Sequence, residues 1–387
     1  MGLYHNALYL HGGTVSAESF SRKVGRYGRE YSNPKSAELR FVDVNFVEKD
    51  DGESEGEDQG AVLQRNLSVL RSLILKDCGE DSRQFPVLEQ ILKGGFNDDS
   101  ALEDIEISHR VILDTGYARF MQRLFEKSAN SLKFLELKHF EILDNDDATA
   151  VLFESLNLCQ NLRTLRIEEW RKMQPKHFSL LSEAIRALPN LEQLFLCNMN
   201  MDAAGLSALL PGIAGHPGVS ELCLEENPIG DEGAIELSKF LASDNCIKIE
   251  RLSLGGGCEI WEDGWDALAT GLAQFHTVKT LLPGQDIEQH LDKVLESLKV
   301  NMNLTKIDYV GRRWERRNPS PHSAQIDYFL LLNQANRKAL MNEPISSRAW
   351  REAFEALKRC QESNYTQVEM FFYLLRHRPE MMDGLKR

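Results

Sequence analysis

The chain of 387 residues repeats itself, and that periodicity limits its fold more than any other feature. The pattern Leu-x-x-Leu-x-Leu recurs with other apolar residues admitted at its three places. The clearest copies are Leu132-Leu135-Leu137, Leu162-Leu165-Ile167, Leu191-Leu194-Leu196, Val219-Leu222-Leu224 and Ile249-Leu252-Leu254. Looser copies precede them at Leu39-Val42-Val44, Leu70-Leu73-Leu75 and Leu102-Ile105-Ile107. Two more follow, Val278-Leu281 with Pro283 in the third place and Leu304-Ile307-Tyr309. Successive copies begin 26 to 32 residues apart. Such a period overrules the usual prior of about 150 residues per domain. One unit cannot bury its own leucines, so the units must stack and stand or fall as an array.

Each unit reads as a strand followed by a helix. The second and third apolar residues alternate, so both point to one face of a short strand. The stretches from Asp202 to Leu210, Asp231 to Leu241 and Trp265 to Leu272 space apolar residues three and four apart, as an amphipathic helix does. Most begin at an acidic or small residue suited to an N-cap. The segment Leu222-Cys-Leu224-Glu-Glu-Asn227-Pro-Ile229-Gly230-Asp231-Glu-Gly233-Ala234 resembles the consensus of ribonuclease-inhibitor-like leucine-rich repeat proteins. That resemblance implies an α/β solenoid, a horseshoe with a parallel inner sheet, outer helices and a helical C-terminal cap. It covers 39–310, about ten repeats, leaving 1–38 as an N-terminal arm and 311–387 as the cap. The ladder asparagine of the consensus, Asn227 here, is replaced elsewhere by Cys78, Phe140, Met199 and Gly257. Pro283 is expected to remove a ladder hydrogen bond from its strand.

Composition excludes several classes. Charged residues are 27% and hydrophobic residues 42%, which suits a folded protein. A net charge of −14 argues against nucleic acid as the main partner. No apolar run reaches the length of about 20 residues that a membrane helix needs, and no leader pattern opens the chain. The seven scattered cysteines show no paired spacing, which fits reduced, buried thiols in the cytoplasm or nucleus. No phosphate-binding loop, HExxH pair or GxSxG elbow occurs, so no catalytic residue, cofactor or metal is expected. Gly255-Gly256-Gly257 reads as a tight strand exit rather than an anion cradle. An acidic run at 48–58 reads as a solvated loop. The basic Arg312, Arg313, Arg316 and Arg317 read as a connection into the cap. Ran GTPase-activating proteins use the same repeat class but carry their acidic tail after the repeats. Enzyme regulation, by GTPase activation or inhibition, is therefore the alternative reading.

The first reading is a protein-interaction scaffold. Residues between the buried positions of each strand project from the inner, concave face. Ten strands roughly 4.8 Å apart give an arc of about 43 Å, which suits a protein partner. Phe134, Glu136, Arg166, Glu168, Phe195, Glu221 and Glu225 are the expected contacts, with Trp170 just past its strand extending the patch. Aromatics and arginine ringed by charge form the composition of a binding hot spot. The acidic excess of this face predicts a partner with a basic surface.

Overall fold

The computed structural model describes residues 2–4, 7–11, 14–15, 38–42, 45–46, 71–76, 78, 102–142, 146–284, 286–308, 321–334 and 336–338. The acidic run at 48–58, the four arginines at 312–317 and the helices expected after 338 lie outside them. Two compact units divide at Val219 and Ser220.

The first unit contains β1 (Gly2–Tyr4), β2 (Ala7–His11), β3 (Thr14–Val15), β4 (Glu38–Val42), β5 (Asn45–Phe46), β6 (Ser72–Lys76) and β7 (Asp104–Leu113). After these come α1 (Thr115–Ser128), β8 (Phe134–Ile142), α2 (Asp146–Leu156), β9 (Thr164–Glu168), α3 (Pro175–Arg186), β10 (Gln193–Cys197) and α4 (Ala203–Ile213). Its main sheet runs β1-β2-β4-β6-β7-β8-β9-β10, and β3 pairs with β5 separately. All neighbours in that sheet are parallel except β1 and β2. The second unit holds β11 (Glu221–Cys223), α5 (Gly230–Ala242), β12 (Arg251–Ser253), α6 (Glu262–Gly271), β13 (Thr280–Leu282), α7 (Leu291–Val300), β14 (Lys306–Ile307) and α8 (Pro321–Gln334). Its four strands are parallel and in sequence order. An α/β solenoid of strand–helix repeats is therefore the fold, and the repeat leucines line its core. Leu135, Leu165, Leu194, Leu222 and Leu252 are all fully buried.

Two local features depart from the simple repeat. β7 and β8 run past the usual five residues, across a register shift between Ser108 and Val111. Pro283 lies just beyond β13, so the expected gap in a ladder becomes a strand end. Leu281 still pairs with Leu252 on one side and Ile307 on the other.

A turn recurs where each strand ends. His139, Glu169, Asn198, Glu226 and Gly256 stand two places after the third apolar residue of their repeats. Their φ values are 63°, 57°, 52°, 58° and 52°. This left-handed conformation costs an ordinary residue about 1 kcal/mol, and four of the five are not glycine. It swings the next side chain into the core, where Phe140, Trp170, Met199 and Asn227 are buried. Asn227 fills that place with two donated bonds, to the carbonyls of Leu224 and Glu225 at 3.0 and 3.2 Å. In the glycine repeat Gly257 also has positive φ, and Cys258 takes the inward place instead.

A second polar ladder runs where helices return to strands. Asn301 donates to the carbonyls of Leu272 and Phe275 and accepts the N–H groups of Asn303 and Leu304. Asn333, one repeat later, donates to the carbonyls of Asn301 and Leu304. The Arg337 guanidinium then closes the end of α7 by donating to the carbonyls of Leu298 and Lys299 at 3.0 and 2.6 Å.

His216 does the asparagine's work in the first unit. Its Nδ1 accepts the N–H groups of Gly218 and Val219, and its Nε2 lies 3.1 Å from the Leu188 carbonyl. That arrangement needs a neutral ring with the proton on Nε2. Burial lowers the His216 pKa, against opposing hydrogen bonds to Leu188 and Ile185. The unfolded chain therefore takes up this proton first as pH falls. The stabilising effect is present above the unfolded value near 6.5 and is lost as pH falls below it. Urea melts between about pH 7.5 and 5 should show this loss. In His216→Asn, whose amide can make the same bonds, the loss should be smaller; an equal loss would refute the assignment.

Candidate functional site

Helices cover one face of each sheet, and the face opposite is where the alternating strand positions emerge. In the first unit the register fixes three rows across it. Asp104, Phe134, Thr164 and Gln193 form the first; Glu106, Glu136, Arg166 and Phe195 the second; Ser108, Lys138, Glu168 and Cys197 the third. Phe134 and Phe195 thus sit two strands and one row apart, about 12 Å from each other. Thr164 and Arg166 stand between them on β9, Thr164 beside Phe134 and Arg166 beside Phe195, so the two rings flank that polar pair on a diagonal.

Arg166 is the centre of the second row. Its guanidinium carbon stands 4.5 Å above the centroid of the Phe195 ring. Its Nε lies 3.5 Å from both Glu136 Oε2 and Glu168 Oε1. Lys138 sits beside the same carboxylates, at 2.8 Å from Glu168 Oε2 and 3.4 Å from Glu136 Oε1. Two acids and two bases thus neutralise one another on adjacent strands. Burial opposes the charge of Lys138, but Glu168 and Glu136 outweigh it and hold its ammonium above the usual lysine range. Glu136 is the most enclosed member, at 8% exposure. Arg166 and Phe195 are half-buried, so the planar pair presents a surface held in place from below. Such stacking is worth about 0.5–2 kcal/mol and fixes the fork of the guanidinium.

Trp170 does not belong to this surface. It is 1% exposed and stacks on Phe140 at 4.9 Å and on Phe153 at 5.7 Å. Its Nε1 donates to the Leu137 carbonyl at 3.1 Å. The cause is the strand-exit turn: Glu169 has positive φ, and Trp170 stands at the ladder-asparagine place. Counting three residues on from Ile167, as for Phe140 and Met199, identifies it from sequence.

The second unit offers Glu221 and Glu225 on its own helix-free face. Glu221 pairs with Arg251 Nε at 3.1 Å, and Glu225 accepts a short hydrogen bond from Ser253 Oγ. Lys306 pairs with Asp308 at 2.8 Å, and Lys76 in the first unit with Glu106 at 3.3 Å. Much of the acidity expected to face a partner is compensated within the sheets. The missed signal is the register, which sets acids beside bases across neighbouring strands.

Among the described residues no group of three or more histidine, cysteine or acidic side chains could hold a metal ion. No described helix is long and apolar enough to cross a membrane. Among the described residues six cysteines are free thiols, five of them buried. Burial pushes Cys159 up to about 12, and likewise Cys258 up to about 11 despite bonds from Asn227 and Glu226, so both stay protonated thiols near neutral pH.

The relatives carry the same repeat. Leucine-rich repeat-containing protein 73 from Rattus norvegicus and from Homo sapiens is 27% identical over 153 residues, 39% of this chain and 48% of each relative. The chain is a leucine-rich repeat protein. It spans about half the length of those curated relatives. NACHT, LRR and PYD domains-containing protein 5 from Mus musculus is 27% identical over 135 residues, 34% of this chain and 11% of that protein. The leucine-rich repeat-containing protein LegL7 from Legionella pneumophila is 13% identical with a TM-score of 0.46, covering 73% of this chain and 90% of that one. No family model matches the chain.

The two aromatic environments of this leucine-rich repeat protein separate in a stability measurement. Trp170→Ala empties a stacked core position and should cost about 3–5 kcal/mol in urea unfolding. Phe195→Ala removes a surface contact and should cost less than about 1 kcal/mol. Equal costs would contradict these placements.

Proposed function

We propose that the chain is a non-catalytic scaffold that binds a protein partner on the helix-free face of its repeats. Phe134, Glu136, Arg166, Glu168 and Phe195 are the contacts of the first unit. The second unit contributes Glu221 and Glu225 on its own face. The observation that carries this reading is the Arg166 guanidinium stacked on Phe195 and framed by Glu136, Glu168 and Lys138. An arginine held rigidly over an aromatic ring loses little side-chain freedom when a partner covers it, which is a property of hot spots. Relatives with the same repeat support a scaffold built for interaction rather than chemistry. The net charge of −14 favours a partner with a basic surface and an association that weakens with salt.

The test is capture from host lysate with wild type, Arg166→Ala/Phe195→Ala and Leu158→Ala. Leu158 is exposed on the turn after α2, away from the sheet rows. The double variant should melt within a few degrees of wild type and lose its main partner, as removal of hot-spot residues costing more than about 1 kcal/mol each implies. Leu158→Ala should retain that partner. Equal capture by the double variant would refute the site.

A further inference from the structure

The strand-exit edge of the second unit carries a feature that the sheet face does not use. Trp261 is 70% exposed, more than any other large hydrophobic side chain among the described residues. Its backbone N–H donates to Asp231 Oδ1 at 2.6 Å, which fixes the residue at the start of α6. Among the described residues no hydrogen bond or ring contact engages its indole.

The ground beside it is bare. Gly256 and Gly257 are exposed, and a Cβ on Gly257 would stand 3.3 Å from the Glu226 Cα, so this turn lies against the exit turn of the preceding repeat. Exposed carboxylates lie on the chain to either side of this turn and of the start of α6: Glu226 and Glu232 on the preceding repeat, and Glu259, Glu262 and Asp263 on its own; a Cβ on Gly256 would stand 3.8 Å from Glu226 Cγ. No lysine or arginine occurs between Arg251 and Lys279, and Arg251 opens its strand at the end away from the turn; Lys293 of the next repeat, whose ion pair is with Asp266, also acts on Glu262. Glu262 and Asp263 lie in the first turn of α6 and complement its dipole. Glu226 and Glu259 lie outside any helix, so that explanation does not reach them.

The chemistry selects one kind of occupant. Carboxylates repel an anion, so the glycine turn is no phosphate cradle. An open edge gives a small apolar ligand no enclosure. A guanidinium satisfies both parts, lying on the negative face of the indole while its N–H groups meet carboxylates. We propose that Trp261, with Glu226, Glu259, Glu262 and Asp263, is a docking point for an arginine-rich segment of a partner protein. This surface is separate from the Arg166–Phe195 site, and either can fail without the other.

The test titrates the full chain into a fluorescein-labelled hexa-arginine peptide and follows anisotropy at about 0.05 and 0.15 M salt. Trp261→Ala leaves the charge of −14 unchanged, so any loss reads the indole alone. Binding should weaken about 3- to 30-fold, and Trp261→Phe should restore part of it. Glu259→Gln/Glu262→Gln/Asp263→Asn should weaken binding and flatten its salt dependence. Ile247→Ala, also at an exposed apolar residue, should bind as wild type. Equal binding by Trp261→Ala would show that net charge alone attracts the peptide and would overturn the proposal. A substantially lower melting temperature for Trp261→Ala would overturn it too, by showing that the indole is covered within the chain.

Discussion

Each repeat leaves buried polar groups that its neighbour must satisfy, and the rest of the structure depends on that. The Asn301 amide reaches back to the carbonyls of Leu272 and Phe275, and Asn333 reaches back in turn to Asn301 and Leu304. His216 serves the same purpose against Leu188. An unmade bond at such a site costs about 1–3 kcal/mol, comparable to a buried leucine's contribution. Hydrophobic burial makes stacking favourable, and these bonds set its register. Arg337 shows how such a ladder is stopped: a side chain with five donors closes the carbonyls at the end of α7 and lies 4.9 Å over Phe329.

The exit turn decides which side chains belong to the core and which to the surface. Strand positions before it alternate between buried leucine and exposed face. The left-handed residue breaks that alternation and directs the next side chain inward. An aromatic cluster results in the first unit, where Tyr117 meets Phe140 edge-on and Phe140, Trp170 and Phe153 stack in series. A surface is left on which Arg166 and Phe195 can be paired without being buried. Its charges are ordered across strands into a compensated network with a planar cation at its centre rather than a field of unpaired acids.

Much of this was legible in the sequence. The leucines located every strand from β6 to β14 and named the core residues that face inward, because a period near 30 admits few arrangements. Helix starts were legible where Asp202 caps α4 through the Gly205 N–H. The inward place of Trp170 is legible only by counting to the ladder-asparagine position three residues past Ile167, because the left-handed turn that directs it inward falls on Glu169, a non-glycine residue. Two things were not legible. The ion pairs depend on register across strands about 30 residues apart. The extension of β7 and β8 depends on the register shift after Ser108, which the leucine pattern does not encode.

The central claim is that the helix-free face around Arg166 and Phe195 receives the partner. Hydroxyl-radical footprinting of the full chain, alone and saturated with its captured partner, tests this side chain by side chain. Protection at Phe134 and Phe195, with Leu158 and Ile112 unchanged, is the result this account predicts. Unchanged labelling of both phenylalanines, with protection elsewhere on the chain, would contradict it.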